Sequence, residues 1–130
     1  MKQEYKDLIK KAQSVAIKKK YSNEFISGEV GCALVTDKDK VYVGTCFDMP
    51  SGIGVCGEHS AVSSMITKGE NRIKAIVAVH HDGKILSPCG RCRELLFNLN
   101  NKNVDTDIIV DKDKVVKLDK LLPIRWQENW

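Results

Sequence analysis

Two short stretches hold the residues able to do chemistry: Val55-Cys56-Gly57-Glu58-His59 and, about 30 residues later, Ser87-Pro88-Cys89-Gly90-Arg91-Cys92-Arg93. The thiolates of Cys56, Cys89 and Cys92 form a donor set for one Zn2+ per chain. Three protein ligands leave the fourth tetrahedral position to water, and a carboxylate that does not bind the metal, Glu58, stands by to handle protons. Two other readings compete. A Cys-x-x-Cys pair also serves as a redox couple or as half of a closed structural zinc site, and His59, His80 or His81 could supply a fourth ligand. The redox reading leaves Glu58 unexplained, and the closed site leaves Pro88 unexplained.

The spacing constrains how these groups are held. Cys89 and Cys92 stand three apart, so in the first turn of a helix both thiolates face the same way. Cys56 and Glu58 stand two apart and would diverge by roughly 200° within a regular helix. Cys56 is therefore expected where a helix begins, with Glu58 reaching back beside the metal. Three thiolates around Zn2+ leave one excess negative charge, which opposes loss of a proton from water. Two helix N-termini would offset it, together with Arg91, Arg93 or His59. At least one arginine is expected to donate to a ligand sulfur.

The rest of the chain sets limits on partners and class. Its 130 residues, 42% hydrophobic and 29% charged, suit a single soluble globular domain spanning residues 1–130. No apolar run approaches the roughly 20 residues of a membrane span, and the N-terminus lacks the apolar core of a signal peptide. Five cysteines, three of them committed to a metal, fit a reducing cytoplasm; Cys32 and Cys46 read as buried free thiols. The net charge of +4 is scattered among acids, as in Asp37-Lys38-Asp39-Lys40, and only three Tyr, three Phe and two Trp are available for stacking. A nucleic-acid groove is disfavoured.

Leu8, Ala12, Val15 and Ala16 repeat at helical spacing, which predicts a helix over residues 3–19 ending in Lys18-Lys19-Lys20. Residues 29–36 and 41–46 read as a hairpin and 49–54 as a loop. Residues 56–68 read as a helix burying Ala61, Val62, Met65 and Ile66. A buried strand is expected over 75–79, a helix over 90–99 opened by Pro88, and strands over 106–110 and 115–118. Strands alternating with helices imply a layered α/β domain with a mixed sheet, with ligands gathering where strand ends meet helix starts.

Cys-x-Glu followed by Pro-Cys-x-x-Cys matches the signature of zinc-dependent nucleobase deaminases, and the chain resembles the small-subunit branch of the cytidine deaminase family over about residues 20–125. Val30-Gly31-Cys32-Ala33-Leu34 is similar to that family's first strand, Gly44 to the start of its substrate loop, and Leu121-Leu122-Pro123 to its C-terminal element. The resemblance implies a three-layer α/β/α fold with a mixed five-stranded sheet and zinc on Cys56, Cys89 and Cys92. It also implies a homotetramer acting on a small cytosine nucleoside. Glu58 would move a proton from water to the pyrimidine ring nitrogen and help ammonia leave, giving the uracil form. The residues that hold ribose in that family fall at Cys46 and Asp48, and its base-stacking Phe falls at Gly28, close to Phe25. The Arg that commonly follows the catalytic Glu is here His59. Residues 85–93 are shared almost entirely with blasticidin S deaminase, so an antibiotic built on a cytosine nucleoside is an alternative substrate. A zinc-stabilised module that binds a nucleoside without turnover is a third reading. In the tail, Trp126 is expected either to cover a ligand or to pack at a subunit boundary.

Overall fold

The computed structural model describes residues 1–130. Its elements run α1 (Gln3–Ser14), β1 (Lys19–Lys20), β2 (Ile26–Thr36), β3 (Val41–Met49), β4 (Ile53–Val55), α2 (Gly57–Thr67), β5 (Ile73–His80), β6 (Ile85–Leu86), α3 (Gly90–Leu99), β7 (Asp107–Asp111), β8 (Lys114–Lys117) and α4 (Leu118–Leu121). Short 3-10 turns follow α3 and close the tail at Trp126–Asn129.

The strands form one sheet in the order β4-β3-β2-β5-β7-β8, with β1 added to β2 and β6 to β5. Only β5 and β7 pair in parallel, and α3 lies in the crossover between them. Alternating side chains on the two central strands face opposite layers. Ala33, Val35, Ala75, Val77 and Val79 pack under Tyr5, Leu8 and Ala12 of α1. Cys32, Leu34 and Ile76 face Ala61, Val62 and Met65 of α2, with Leu96 and Phe97 of α3. The expected α/β/α layering is present, and the mixed sheet has eight strands rather than five. The additions are short: β1 and β6 have two residues each, and β4 has three.

Other expectations need correction. α1 stops at Ser14 rather than 19, and Lys19 and Lys20 pair with Ser27 and Ile26 instead of ending a helix. A short edge strand suits lysines, whose charges keep further strands from pairing there. Ile66 is 49% exposed and not in the core. Residues 49–54 are not a simple loop: β3 runs on to Met49, turns through Pro50, Ser51 and Gly52, and returns as β4 with Met49 opposite Ile53. Ser51 and Gly52 take φ of 74° and 71°, the left-handed turn geometry that hairpins favour.

Two close backbone approaches set the layer spacing. A Cβ on Gly31 would fall 2.3 Å from the carbonyl oxygen of Ala12 in α1, and one on Gly44 would fall 2.3 Å from the amide nitrogen of Ala61 in α2. Gly44 lets the first turns of α2 lie directly on β3.

Candidate active site

Each chemical residue is held by a helix start. Cys56 occupies the N-cap of α2 with extended backbone, φ −75° and ψ 154°, and Cys89 occupies the N-cap of α3 at φ −68° and ψ 169°. Cys92 lies one turn into α3 and is fully buried. The strands leading into α2 and α3 deliver both helix N-termini to one end of the sheet, so the sulfurs of Cys56, Cys89 and Cys92 all lie within 4.8 Å of one another. Tetrahedral coordination with Zn–S of about 2.3 Å wants sulfurs roughly 3.8 Å apart, so modest side-chain rotation closes this cluster around one ion. No His, Asp or Glu offers a fourth ligand atom within the cluster, and His80 is engaged elsewhere by Asp82. The donor set fits zinc with a position left over.

The electrostatics fit the same group. Burial raises the Cys92 thiol far above its ordinary value, and Glu58, Cys56 and Cys89 add to the rise. Burial also raises Cys56; a bond to Cys92 and the charge of Arg91 oppose that, while Cys89 and Glu58 reinforce it. Cys89 differs. Its burial also pushes upward, but the backbone amides of Cys92 and Arg91 and the thiol of Cys92 together bring it down. Three such neighbouring sulfurs do not ionise together without a cation, so binding a metal must release protons.

Glu58 is 6% exposed. Burial raises its carboxyl above the usual range, opposed only in part by its own backbone amide and Cys92. It lines a cavity of about 600 Å³, the size of a small-molecule site, together with Cys56, Cys89, Arg91 and Ser87. The β3–β4 hairpin supplies much of the remaining wall through Cys46, Phe47, Asp48, Met49, Ile53 and Val55, and Leu86 closes it from β6.

The other expected site residues fall in different places. Cys46 and Asp48 line the cavity, and Cys46 Sγ accepts the Val30 amide at 3.2 Å. Phe25 does not line it; it stacks at 5.1 Å behind Phe47, which does. Neither arginine donates to a ligand sulfur. Arg93 Nε donates to the carbonyl of Pro88 at 2.8 Å, and its Nη1 to that of Leu121 at 3.1 Å, because those two carbonyls capture the guanidinium before it reaches a thiolate. Arg91 faces the cavity. Burial, followed by the charge of Arg91, lowers the His59 imidazole from its ordinary value. Two places were expected for Trp126, over a ligand or at a subunit boundary, and it does not line the cavity of its own chain. Its indole donates to Glu94 on the outer side of α3, and the residue is 57% exposed.

Sequence reasoning missed Phe47, Met49, Ile53, Leu86 and Glu29 as cavity residues. The signal for the first three was the Ser51-Gly52 pair between two extended stretches, a hairpin pattern. Glu29 and Leu86 carried no comparable signal.

Comparison with known proteins follows the same lines. The family described as the cytidine and deoxycytidylate deaminase zinc-binding region matches residues 2–106. Cytidine deaminase of Mycobacterium tuberculosis is 35% identical over 69 residues, a match covering 52% of each chain, or about half the length of that relative. Blasticidin-S deaminase of Bacillus cereus is 28% identical over 112 residues, covering 77% of this chain and 78% of the relative. Among solved structures, cytidine deaminase from Mycobacterium leprae superposes with a TM-score of 0.76 at 30% identity, covering 92% of this chain and 97% of that one.

Proposed function

Since the chain belongs to the cytidine and deoxycytidylate deaminase family, we propose that it is a zinc-dependent hydrolase that converts cytidine, deoxycytidine or a related cytosine nucleoside to the uracil form with release of ammonia. The observation that carries this reading is Glu58, a nearly buried carboxylate in the wall of the same cavity as the three-sulfur cluster. A structural zinc site needs no such group.

Zinc held by Cys56, Cys89 and Cys92 supplies the Lewis acidity that makes a water nucleophilic near neutral pH. Glu58 accepts one proton of that water as its oxygen attacks the amino-bearing ring carbon, and delivers the proton to the adjacent ring nitrogen. The proton remaining on the new hydroxyl group then passes through Glu58 to the departing amine. The carbon–nitrogen bond breaks, and the oxygen stays as the uracil carbonyl. A raised carboxyl suits a group that must both take and return protons. Arg91, facing the cavity, offsets the negative charge of the sulfur cluster; Arg93 fixes the carbonyl of Pro88, immediately before Cys89. Phe47, Met49 and Ile53 give the ring an apolar, water-excluding wall. Cys46 and Asp48 stand where the sugar is held in the family, and Phe25 backs Phe47.

A second reading moves the same chemistry to an antibiotic built on a cytosine nucleoside. It is supported by the match to blasticidin-S deaminase, which covers 77% of this chain. On either reading residues 1–130 work as one catalytic domain in the cytoplasm, on small molecules and not on nucleic acid. No helix is long and apolar enough to cross a membrane. A role in pyrimidine nucleoside salvage goes with the first reading. Assembly as a homotetramer is supported by apolar tail residues left bare, Ile124 at 93% and Trp130 at 96% exposure.

The test is ammonia release from zinc-loaded protein given cytidine, deoxycytidine, cytosine and blasticidin S separately. Glu58→Gln should keep one zinc per chain and lose at least ~10²-fold in turnover. The fastest substrate decides between the two readings. Turnover that survives Glu58→Gln, or no release from any compound, refutes the assignment.

A further inference from the structure

Accepting the deaminase reading above, we propose that the cavity selects cytosine ligands carrying a positive charge outside the base, and that Glu29 is the residue that recognises the charge. The lining has three carboxylates, Glu29, Asp48 and Glu58, against a single guanidinium, Arg91. Glu58 is occupied with proton transfer, and Arg91 is already opposed by the excess negative charge of the thiolate cluster. Glu29 and Asp48 are left as uncompensated charge on the cavity wall.

Glu29 stands apart from other acids of similar burial. Four carboxylates in the protein are half-buried: Glu29, Glu70, Glu94 and Asp107. Glu70 accepts from Thr36 and Tyr42, Glu94 from Trp126 and Gln127, and Asp107 from Tyr5 while pairing with Lys117. Glu29 has no ion pair and no side-chain hydrogen bond, although withdrawing a carboxylate from water without a partner is unfavourable. Its backbone is nevertheless fixed, the carbonyl accepting the His81 amide at 2.8 Å. The register of β2 against β3 shifts between Ser27 and Gly31, and Glu29 lies inside that irregularity. Bulges of this kind re-aim side chains beside active sites. The fold thus spends a local irregularity to place an unpaired carboxylate in the substrate cavity, opposite in charge to an ammonium or guanidinium substituent. A cleft dominated by one sign of charge also discriminates against ligands of that sign, so phosphorylated substrates are disfavoured.

The experiment uses the zinc-loaded full chain with cytidine as the neutral probe, 5′-amino-5′-deoxycytidine and 3′-amino-3′-deoxycytidine as cationic probes, and cytidine 5′-monophosphate as the anionic one. At low salt, at least one amino compound should show a kcat/KM about 5-fold or more above cytidine, mostly through KM, and the monophosphate a value about 10-fold or more below. The spread should narrow as salt is raised. Glu29→Gln should bring the amino-to-neutral ratio close to one, whereas Asp113→Asn, an equal change of charge in the exposed turn between β7 and β8, should leave the ratio as it is. Amino compounds no better than cytidine, or a ratio untouched by Glu29→Gln, overturn the proposal. Failure of the deaminase reading looks different, with no ammonia from any probe. In that event, calorimetric binding of the corresponding uridine derivatives gives the same ranking or its absence, and absence overturns the proposal.

Discussion

Replacing Gly44 by alanine tests whether the position of α2 on the sheet governs the chemistry. The added methyl would fall 2.3 Å from the Ala61 amide nitrogen and 2.5 Å from Ser60 Cβ. Neither atom is the far end of a flexible chain, so β3 and α2 must separate by about 1 Å to restore ordinary contact. Overpacking of this kind costs about 1–3 kcal/mol. Alanine in a strand returns roughly 0.5–1 kcal/mol by restricting the unfolded chain, so at the middle of both ranges the net loss is about 1.3 kcal/mol. For a domain of this size that lowers Tm by roughly 3–8 °C. The effect on turnover should be larger than the effect on stability. Cys56 caps α2 and Glu58 lies in its first turn, while Cys89 and Cys92 belong to α3 and do not move with them. A misplacement near 1 Å can reduce turnover about 10²-fold. Calorimetry of zinc-free and zinc-loaded Gly44→Ala, with zinc affinity by chelator competition and kcat/KM from ammonia release, checks each step. A variant with unchanged Tm and unchanged kcat/KM would refute the view that this glycine sets the spacing. A lowered Tm with undiminished turnover would refute the link from spacing to chemistry.

Two further outcomes are expected. Arg93→Ala removes the donors to Pro88 and Leu121 and should lower stability by about 1–3 kcal/mol while speeding zinc loss to a chelator, with Arg93→Lys intermediate; an unchanged zinc off-rate would show that the guanidinium does not position the ligand segment. Asp107 is raised by burial, but Lys117 and Tyr5 outweigh that and hold its carboxyl below the usual range, so its contribution is complete above the unfolded value of about 3.9 and is lost as pH falls through the lower folded value. The Tm gap between wild type and Asp107→Asn should therefore be full at pH 6 and shrink in acid; a gap that widened as pH fell would contradict this.

Much of the site was legible because its constraints are local. Pro88 before the helix and the three-residue step between Cys89 and Cys92 dictated α3, and the two-residue step from Cys56 to Glu58 required Cys56 to precede α2, as it does. Ala75 to Val79 announced a central strand by being apolar without alternation. What escaped depends on pairing at a distance. β4 is three residues long and extended only because Phe47, Asp48 and Met49 lie opposite it, so the wall of the cavity could not be read from residues 53–55 alone. Trp126 donates to Glu94, an acid on α3 that no pattern links to the tail. Arg91 or Arg93 was expected at sulfur, but Arg93 donates to two main-chain carbonyls, and such acceptors leave no trace in residue type.

The β3–β4 hairpin separates two tasks that many enzymes interleave. The three cysteines and Glu58, proposed here as metal ligands and proton carrier, belong to helix starts, whereas much of the cavity wall comes from one antiparallel loop-back whose tip, Pro50 to Gly52, is exposed. Changes of length or side chain there would alter which molecules enter while the reactive groups keep their supports. The hairpin is thus a replaceable cassette, and libraries confined to it offer a direct route to new substrate ranges on an unchanged catalytic base.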